Sequence, residues 1–102
     1  MSINVEVGRG TWKLLHEMAA AYPNRPTDLE RHKMVQFLYL LAEFYPCSEC
    51  GENMYQYLLL FPPRVNSRID LEMYLCQFHN SVNHRLGKRL FNCEFVVDRE
   101  GE

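Results

Sequence analysis

Two cysteines separated by two residues, in the run Tyr45-Pro46-Cys47-Ser48-Glu49-Cys50, are the side chains best suited to chemistry. Proline is favoured at the first position of a helix, so this pair is predicted to occupy a first helical turn. Residues three apart on a helix are neighbours, which brings the two sulfurs within reach of a disulfide. The unpaired amides of a helix start also stabilise a thiolate. This placement favours disulfide exchange over metal binding.

A second group of polar side chains follows one stripe of a later predicted helix. Cys76, His79, Asn80 and Asn83 recur at the spacing of a single helical face. Carboxamides offer both donors and acceptors, which the edge of a heterocycle requires. Capping of neighbouring helix ends would explain one such residue, but it explains four on one stripe less well. The stripe therefore predicts a surface for a flat, polar ligand.

A third group lies near the amino terminus, where Arg9, Trp12 and His16 share one helical face. Trp12 taken alone is typical of a core residue. An indole flanked by a guanidinium and an imidazole also suits a nucleotide cofactor. Basic side chains gather at the end of the later helix, where they complement its dipole and could neutralise a pyrophosphate: His84, Arg85, Lys88 and Arg89.

The same residues allow a different interpretation, a structural zinc site. Cys47 and Cys50 with Cys76 and His79 have the spacing of a Cys₃His site, which would make the chain a zinc-stabilised interaction module. That site would leave Cys93 unpaired, and it would place two ligands inside a long helix. A bundle stapled by disulfides but without catalysis is the third alternative.

Composition limits the classes of protein that this chain can represent. With 102 residues, of which 47% are hydrophobic, we expect a single domain over residues 1–102. The formal charge of −2 gives no electrostatic reason to expect nucleic acid as a partner. No apolar run approaches the roughly 20 residues of a membrane span, and no secretory signal is visible in residues 1–8.

Apolar periodicity is helical throughout, and the boundaries are marked by capping and proline signals. Thr27 and Glu30 form a predicted capping box, Ser67 and Asp70 resemble a second one, and Gly87 is expected to end the last helix. A short helical turn is expected after Cys93, and no β-hairpin signal is present. The chain is therefore predicted to be all-α, an antiparallel four-helix bundle plus a short fifth helix. The four long helices are predicted over about 9–22, 28–45, 46–61 and 68–86.

Taken in order along the chain, these residues resemble the flavin-dependent sulfhydryl oxidases of the Erv/ALR family. The resemblance covers residues 8–93, nearly the whole sequence. The matching elements are Gly8-Arg9-x-x-Trp12-x-x-Leu15-His16, Phe44-Tyr45-Pro46-Cys47-x-x-Cys50, Cys76-x-x-His79-Asn80-x-Val82-Asn83-x-x-Leu86-x-Lys88 and Phe91-x-Cys93.

The resemblance implies a role for each matching residue. Cys47 is expected to exchange with the substrate, Cys50 to be the cysteine next to the flavin, and Cys76–Cys93 to be a structural disulfide. FAD is expected to bind non-covalently at the mouth of the bundle, and the chain to form a homodimer. The residues expected at the FAD site are Gly8, Arg9, Trp12, His16, Phe44, Cys76, His79, Asn80, Val82, Asn83, Leu86 and Lys88.

The implied activity is thiol oxidation, which forms disulfides in client proteins. Electrons would pass from the Cys47–Cys50 pair to FAD and then to oxygen, giving hydrogen peroxide, or to cytochrome c. The expected compartment is the mitochondrial intermembrane space, with the endoplasmic reticulum lumen or a viral assembly site as alternatives. We expect either a catalytic core or a member that oxidises its substrate directly, because no cysteine remains for the second, shuttle pair of many members. The tryptophan that several members carry shortly after the last structural cysteine is also absent, since Glu94-Phe95-Val96-Val97-Asp98-Arg99 follows Cys93.

Overall fold

Four α-helices make up the computed structural model, which describes residues 2–94. α1 packs against α4 and α2 packs against α3, and the described residues contain no β-strand. The predicted antiparallel four-helix bundle is confirmed, whereas the expected fifth helix after Cys93 lies outside the described residues. Within residues 2–94, no helix combines the length and the apolar character needed to cross a membrane. The helices are α1 (Ser2–Ala20), α2 (Asp28–Glu43), α3 (Ser48–Leu60) and α4 (Arg68–Arg85).

Capping side chains begin α2 and α4 where the sequence predicts them. The Thr27 hydroxyl accepts from the Glu30 amide at 3.1 Å, and the Thr27 amide donates to the Glu30 carboxylate at 2.8 Å, which completes a capping box. The Ser67 hydroxyl accepts from the Asp70 amide at 3.1 Å. Gly87 ends α4 with φ 72°, a left-handed conformation that favours glycine.

α1 begins earlier than predicted, at Ser2 instead of Arg9. The apolar period that predicts this helix runs through Trp12, Leu15, Ala19 and Tyr22, so it marks the helix only from about Arg9. A formed helix extends at low cost, however, and Val5 lies seven residues before Trp12, on the same helical face. The early start adds about two turns to α1, and it places Val5 at the site described below.

The core lies between the two helix pairs and fixes the start of α3. Its fully buried side chains are Leu15, Leu38, Leu58, Leu71, Leu75 and Phe78. α3 approaches α2 so closely that a Cβ at Gly51 would lie 2.5 Å from the carbonyl oxygen of Ala42. Because backbone cannot yield at that distance, only glycine fits at this position, and the two cysteines that precede it are held rigidly against α2.

Candidate active site

All four cysteines are paired. Cys47 is bonded to Cys50 and Cys76 to Cys93, with Cα–Cα separations of 5.2 and 5.8 Å. A zinc site would need at least three of these sulfurs as free thiolates together with His79. Among residues 2–94 there is also no group of three acidic, histidine or cysteine side chains able to hold a metal ion. The structure therefore does not support the zinc interpretation.

The Cys47–Cys50 disulfide lies at the amino terminus of α3. The helix begins at Ser48, slightly later than predicted, because Cys47 is its capping residue. The Cys47 sulfur accepts a hydrogen bond from the Cys50 amide at 3.3 Å. Unpaired amides and the helix dipole stabilise negative charge at this end. Opening of the disulfide would therefore release a thiolate in a favourable environment.

One side of this disulfide faces a partly open cavity of about 460 Å³ between α1, α4 and the start of α3. This volume lies in the range of small-molecule sites. Cys50 lines the cavity, whereas Cys47 does not. The other predicted site residues that line it are Gly8, Arg9, Trp12, His16, His79, Val82, Asn83, Leu86 and Lys88.

Three residues expected at the cofactor site do not line the cavity. Phe44 ends α2 and is 73% exposed. Cys76 is buried in its disulfide, and the Asn80 carboxamide donates to the Phe91 carbonyl at 2.8 Å and to the Cys93 sulfur at 3.3 Å. The predicted polar stripe of α4 therefore divides in two. Cys76 and Asn80 hold the segment that follows α4. His79 and Asn83 instead line the cavity between α4 and α1.

An aromatic and imidazole cluster forms the wall of the cavity between α1 and α4. The rings of Trp12 and His79 are stacked, with centroids 4.2 Å apart and an interplanar angle of 7°. His16 Nε2 and His79 Nδ1 share a hydrogen bond of 3.0 Å. Phe78 meets the edge of Trp12 from the core side, at 5.3 Å between centroids. The indole is thus a core residue on one side and part of the cavity wall on the other.

The environment of His79 keeps its imidazole neutral. Burial, the neighbouring His16 and the nearby Lys88 together lower the pKa of His79 to about 4. A neutral His79 can accept or donate across the 3.0 Å contact to His16. If both rings were protonated, two N–H groups would face each other, so the low pKa agrees with the geometry.

The free energy of unfolding is expected to fall as the pH drops from about 6.5 towards 4. The unfolded chain takes up a proton on His79 near pH 6.5, whereas the folded chain takes it up only near pH 4. Over this window the unfolded state binds more protons, so acid favours unfolding. The melting temperature of wild type should therefore fall more between pH 7 and pH 5 than that of His79→Gln. Equal pH slopes in the two proteins would contradict this assignment.

The cavity also contains residues that the sequence did not identify. The sequence predicts Arg85 only as one of several cations at the end of α4. Val5 was missed because it precedes the predicted start of α1, and Met54 lies one turn after Cys50 on the same face of α3. Thr11 and Tyr45 share a hydroxyl hydrogen bond of 3.1 Å, which ties α1 to the turn before the disulfide. The lining residues not predicted are Val5, Thr11, Lys13, Tyr45, Met54 and Arg85.

The cavity lining combines apolar walls with positive charge. Arg9, Lys13, Arg85 and Lys88 all contribute to it, and no carboxylate side chain among residues 2–94 does so. Gly8 also lies in the wall, and an added Cβ there would meet no described atom within 4 Å. This combination suits a flat heterocycle that carries phosphate groups.

Known proteins with the same sequence pattern and fold are sulfhydryl oxidases by name. The chain is 41% identical over 66 residues to the mitochondrial FAD-linked sulfhydryl oxidase ERV1 of Saccharomyces cerevisiae, a match that covers 65% of this chain and 35% of the relative. It is 46% identical over 68 residues to the corresponding protein of Schizosaccharomyces pombe, with 65% and 37% covered. The chain therefore spans about a third of the length of the curated relatives it matches.

The fold agrees with that of solved structures at clear sequence similarity. The crystal structure of the FAD binding domain of Erv1 from Saccharomyces cerevisiae matches with a TM-score of 0.88 and 40% identity, over 92% of this chain and 90% of that one. The yeast Erv1 core matches with a TM-score of 0.87 and 41% identity, over 91% and 79%. The sequence model of the Erv1 / Alr family matches residues 9–101. On these grounds, the chain belongs to the Erv1/Alr family.

Proposed function

We propose that residues 1–102 form a single sulfhydryl oxidase domain that holds FAD between α1 and α4 and oxidises pairs of thiols in client proteins. The Cys47–Cys50 disulfide accepts electrons from the client and passes them to the flavin. Oxygen, which is reduced to hydrogen peroxide, or cytochrome c takes them from there. The names of the relatives support the activity, since they are FAD-linked sulfhydryl oxidases.

The observation that carries this proposal is the position of Cys50. It lines the same cavity as Trp12 and His79, so one cysteine of the disulfide lies in the wall of the candidate cofactor site and the other does not. Such an arrangement separates the entry of electrons, at Cys47, from their exit, at Cys50. A purely structural disulfide gains nothing from facing a cavity that is lined by cations and aromatic rings.

The residues present fit FAD. Trp12, Val82 and Leu86 offer apolar surface to a flat ring system, and the cations Arg9, Lys13, Arg85 and Lys88 offer charge to a pyrophosphate. The Asn83 side chain is buried and lines the same space, where a carboxamide can pair with a heterocycle edge. FAD bound there supplies the two-electron acceptor that no protein side chain provides.

Disulfide exchange at Cys47 is the step that the protein residues perform themselves. A client thiolate attacks the Cys47 sulfur, the Cys47–Cys50 bond breaks, and Cys50 leaves as a thiolate stabilised by the start of α3. The second client thiolate then attacks the client sulfur of the mixed disulfide and releases Cys47. The client loses two electrons and two protons. The Cys47–Cys50 pair gains them and becomes a dithiol.

The proposal extends to the setting of the protein. The relatives named mitochondrial support a mitochondrial location, and we propose the intermembrane space, where disulfides are formed. We also propose a homodimer, whose interface would bury exposed apolar side chains such as Leu14, Leu29 and Leu40. A monomer mass in sedimentation equilibrium would contradict the dimer, and fractionation of mitochondria would test the location.

The activity is tested by purifying the protein with FAD and measuring oxygen uptake with dithiothreitol. We expect a yellow protein with flavin absorption bands and with thiol-dependent formation of hydrogen peroxide. A protein that stays colourless after incubation with FAD and consumes no oxygen with dithiothreitol would overturn the proposal.

A further inference from the structure

A shallow groove lies on the surface beside the Cys47–Cys50 disulfide, and it is distinct from the cavity that Cys50 lines, although Tyr45 contributes to both. We call it the outer groove; its lining includes Glu43, Ser48, Gly51, Glu52 and Tyr55. It runs between the end of α2 and the first turns of α3, and Ser48 and Gly51 directly follow the two cysteines. A client chain that reaches Cys47 from solvent therefore has this groove available for its flanking residues.

The outer groove is acidic because of an unusual stretch of sequence. From Met34 to Pro63 there is no lysine, arginine or histidine, whereas Glu43, Glu49 and Glu52 are present. All three glutamates are exposed, and none forms an ion pair with another residue of the 2–94 segment. Their negative charge is thus not neutralised within that part of the chain.

The surfaces on the two sides of the disulfide consequently carry charges of opposite sign. Among the described residues, the cavity is lined by the cations Arg9, Lys13, Arg85 and Lys88, and the outer groove by Glu43 and Glu52. An attacking client thiolate is itself an anion, so the carboxylates around Cys47 repel it. A positive charge beside the client cysteine removes this repulsion, and it also lowers the pKa of the client thiol and raises the fraction of reactive thiolate. Tyr55 adds a ring face on which a cation can stack.

We propose that the outer groove is a docking site for client segments in which lysine or arginine flanks the reacting cysteine. This inference rests on the proposed thiol oxidase function and adds the charge of its substrate. Clients with acidic flanks, and small anionic thiols, are poor substrates because their approach to Cys47 is opposed by Glu43, Glu49 and Glu52.

The exchange itself is the same for every client. One client thiolate forms a bond to the Cys47 sulfur as the Cys47–Cys50 bond breaks, and the second client thiolate closes the client disulfide as it releases Cys47. The two electrons and two protons that the client loses go to the Cys47–Cys50 pair, which becomes a dithiol, and FAD bound in the cavity would supply the acceptor that returns the pair to its disulfide. Basic flanks change the rate of encounter and attack, and they leave this balance unaltered.

The test uses the FAD-loaded protein and three dithiol peptides that differ only in the residues flanking a Cys-x-x-Cys pair, which are lysine, glutamine or glutamate. Oxygen uptake gives kcat/KM for each peptide. We expect the lysine peptide to exceed the glutamate peptide by roughly tenfold or more at low ionic strength. The ratio should approach one between about 0.01 M and about 1 M salt, as the screening length falls from about 30 Å to about 3 Å.

Paired variants separate the groove from the net charge of the protein. Glu43→Gln with Glu52→Gln neutralises the outer groove, and Glu6→Gln with Glu17→Gln makes the same change in net charge on α1. The groove variant should lose most of the preference for the lysine peptide over the glutamate peptide. The α1 variant should keep it.

Dithiothreitol, which is uncharged, distinguishes the two possible failures. If the protein oxidises dithiothreitol but shows no preference between the peptides at low salt, the docking proposal is overturned and the oxidase function stands. Equal loss of preference in both paired variants would also overturn it, because net charge alone would then explain the effect. If dithiothreitol is not oxidised, the function and the docking proposal fall together.

Discussion

Cys50→Ser is expected to lower dithiol-driven turnover by at least roughly 10⁴-fold, the scale on which loss of an essential nucleophile acts. The variant cannot form the Cys47–Cys50 disulfide, and a serine hydroxyl at the cavity wall cannot carry electrons to a flavin. Folding should be retained, because the hydrogen bond to the Cys47 sulfur comes from the backbone amide of residue 50. Oxygen uptake with dithiothreitol measures turnover, and flavin absorbance with circular dichroism shows that the site and fold are intact.

Ser48→Ala provides the matched control, since it changes a hydroxyl in the same helical turn and leaves both sulfurs in place. It should retain turnover within a few-fold of wild type. If Cys50→Ser binds FAD normally and still oxidises dithiothreitol at more than a small fraction of the wild-type rate, Cys50 does not have the assigned role.

Cys93→Ser has the second largest expected effect, and it acts on stability. The Cys76–Cys93 bridge closes a loop with a sequence separation of 17. A loop of this size contributes about 3 kcal/mol by restricting the unfolded chain. For a domain of this length the loss corresponds to a melting temperature lower by roughly 10–20 °C. Thermal unfolding followed by circular dichroism measures it, and FAD should also be retained less well.

Asn80→Ala separates the disulfide from the hydrogen bonds beside it. The Asn80 carboxamide accepts from the Phe91 amide at 2.7 Å and donates to its carbonyl at 2.8 Å, so it holds the same segment without a covalent bond. Its loss should cost less than the loss of the bridge. If Cys93→Ser melts like wild type, or if it binds FAD tightly but loses all chemistry, the bridge is not the structural element that we infer.

Much of the local structure follows from short-range signals in the sequence. The Thr27–Glu30 capping box and Gly87 mark helix ends because each satisfies backbone groups within a few residues of itself. Pro46 predicts a helix start, and the spacing of Cys47 and Cys50 brings their sulfurs within reach of a disulfide in the first turn. These features need no partner from elsewhere in the chain, so the sequence suffices to predict them.

Other features are less well predicted from local patterns. The predicted start of α1, at about Arg9, is too late, because the helix continues back through Gly8 to Ser2 despite the low helix propensity of glycine. Phe44 matches the pattern of the family and is mostly exposed at the end of α2, so its place at the cofactor site stays a prediction. Helical spacing gives the face on which a residue lies, and it does not give what that face contacts.

Sequence alone therefore determined the four helices, the reactive pair at the start of α3 and the residue types available to a cofactor. Only the tertiary structure decided that α1 lies on α4, which stacks Trp12 on His79 and joins His16 to it across 63 residues of sequence. It also decided that Cys50, and not Cys47, lines the cavity. The physical reason is that contacts between distant segments depend on how apolar faces fit together in three dimensions, and a one-dimensional period does not contain that information.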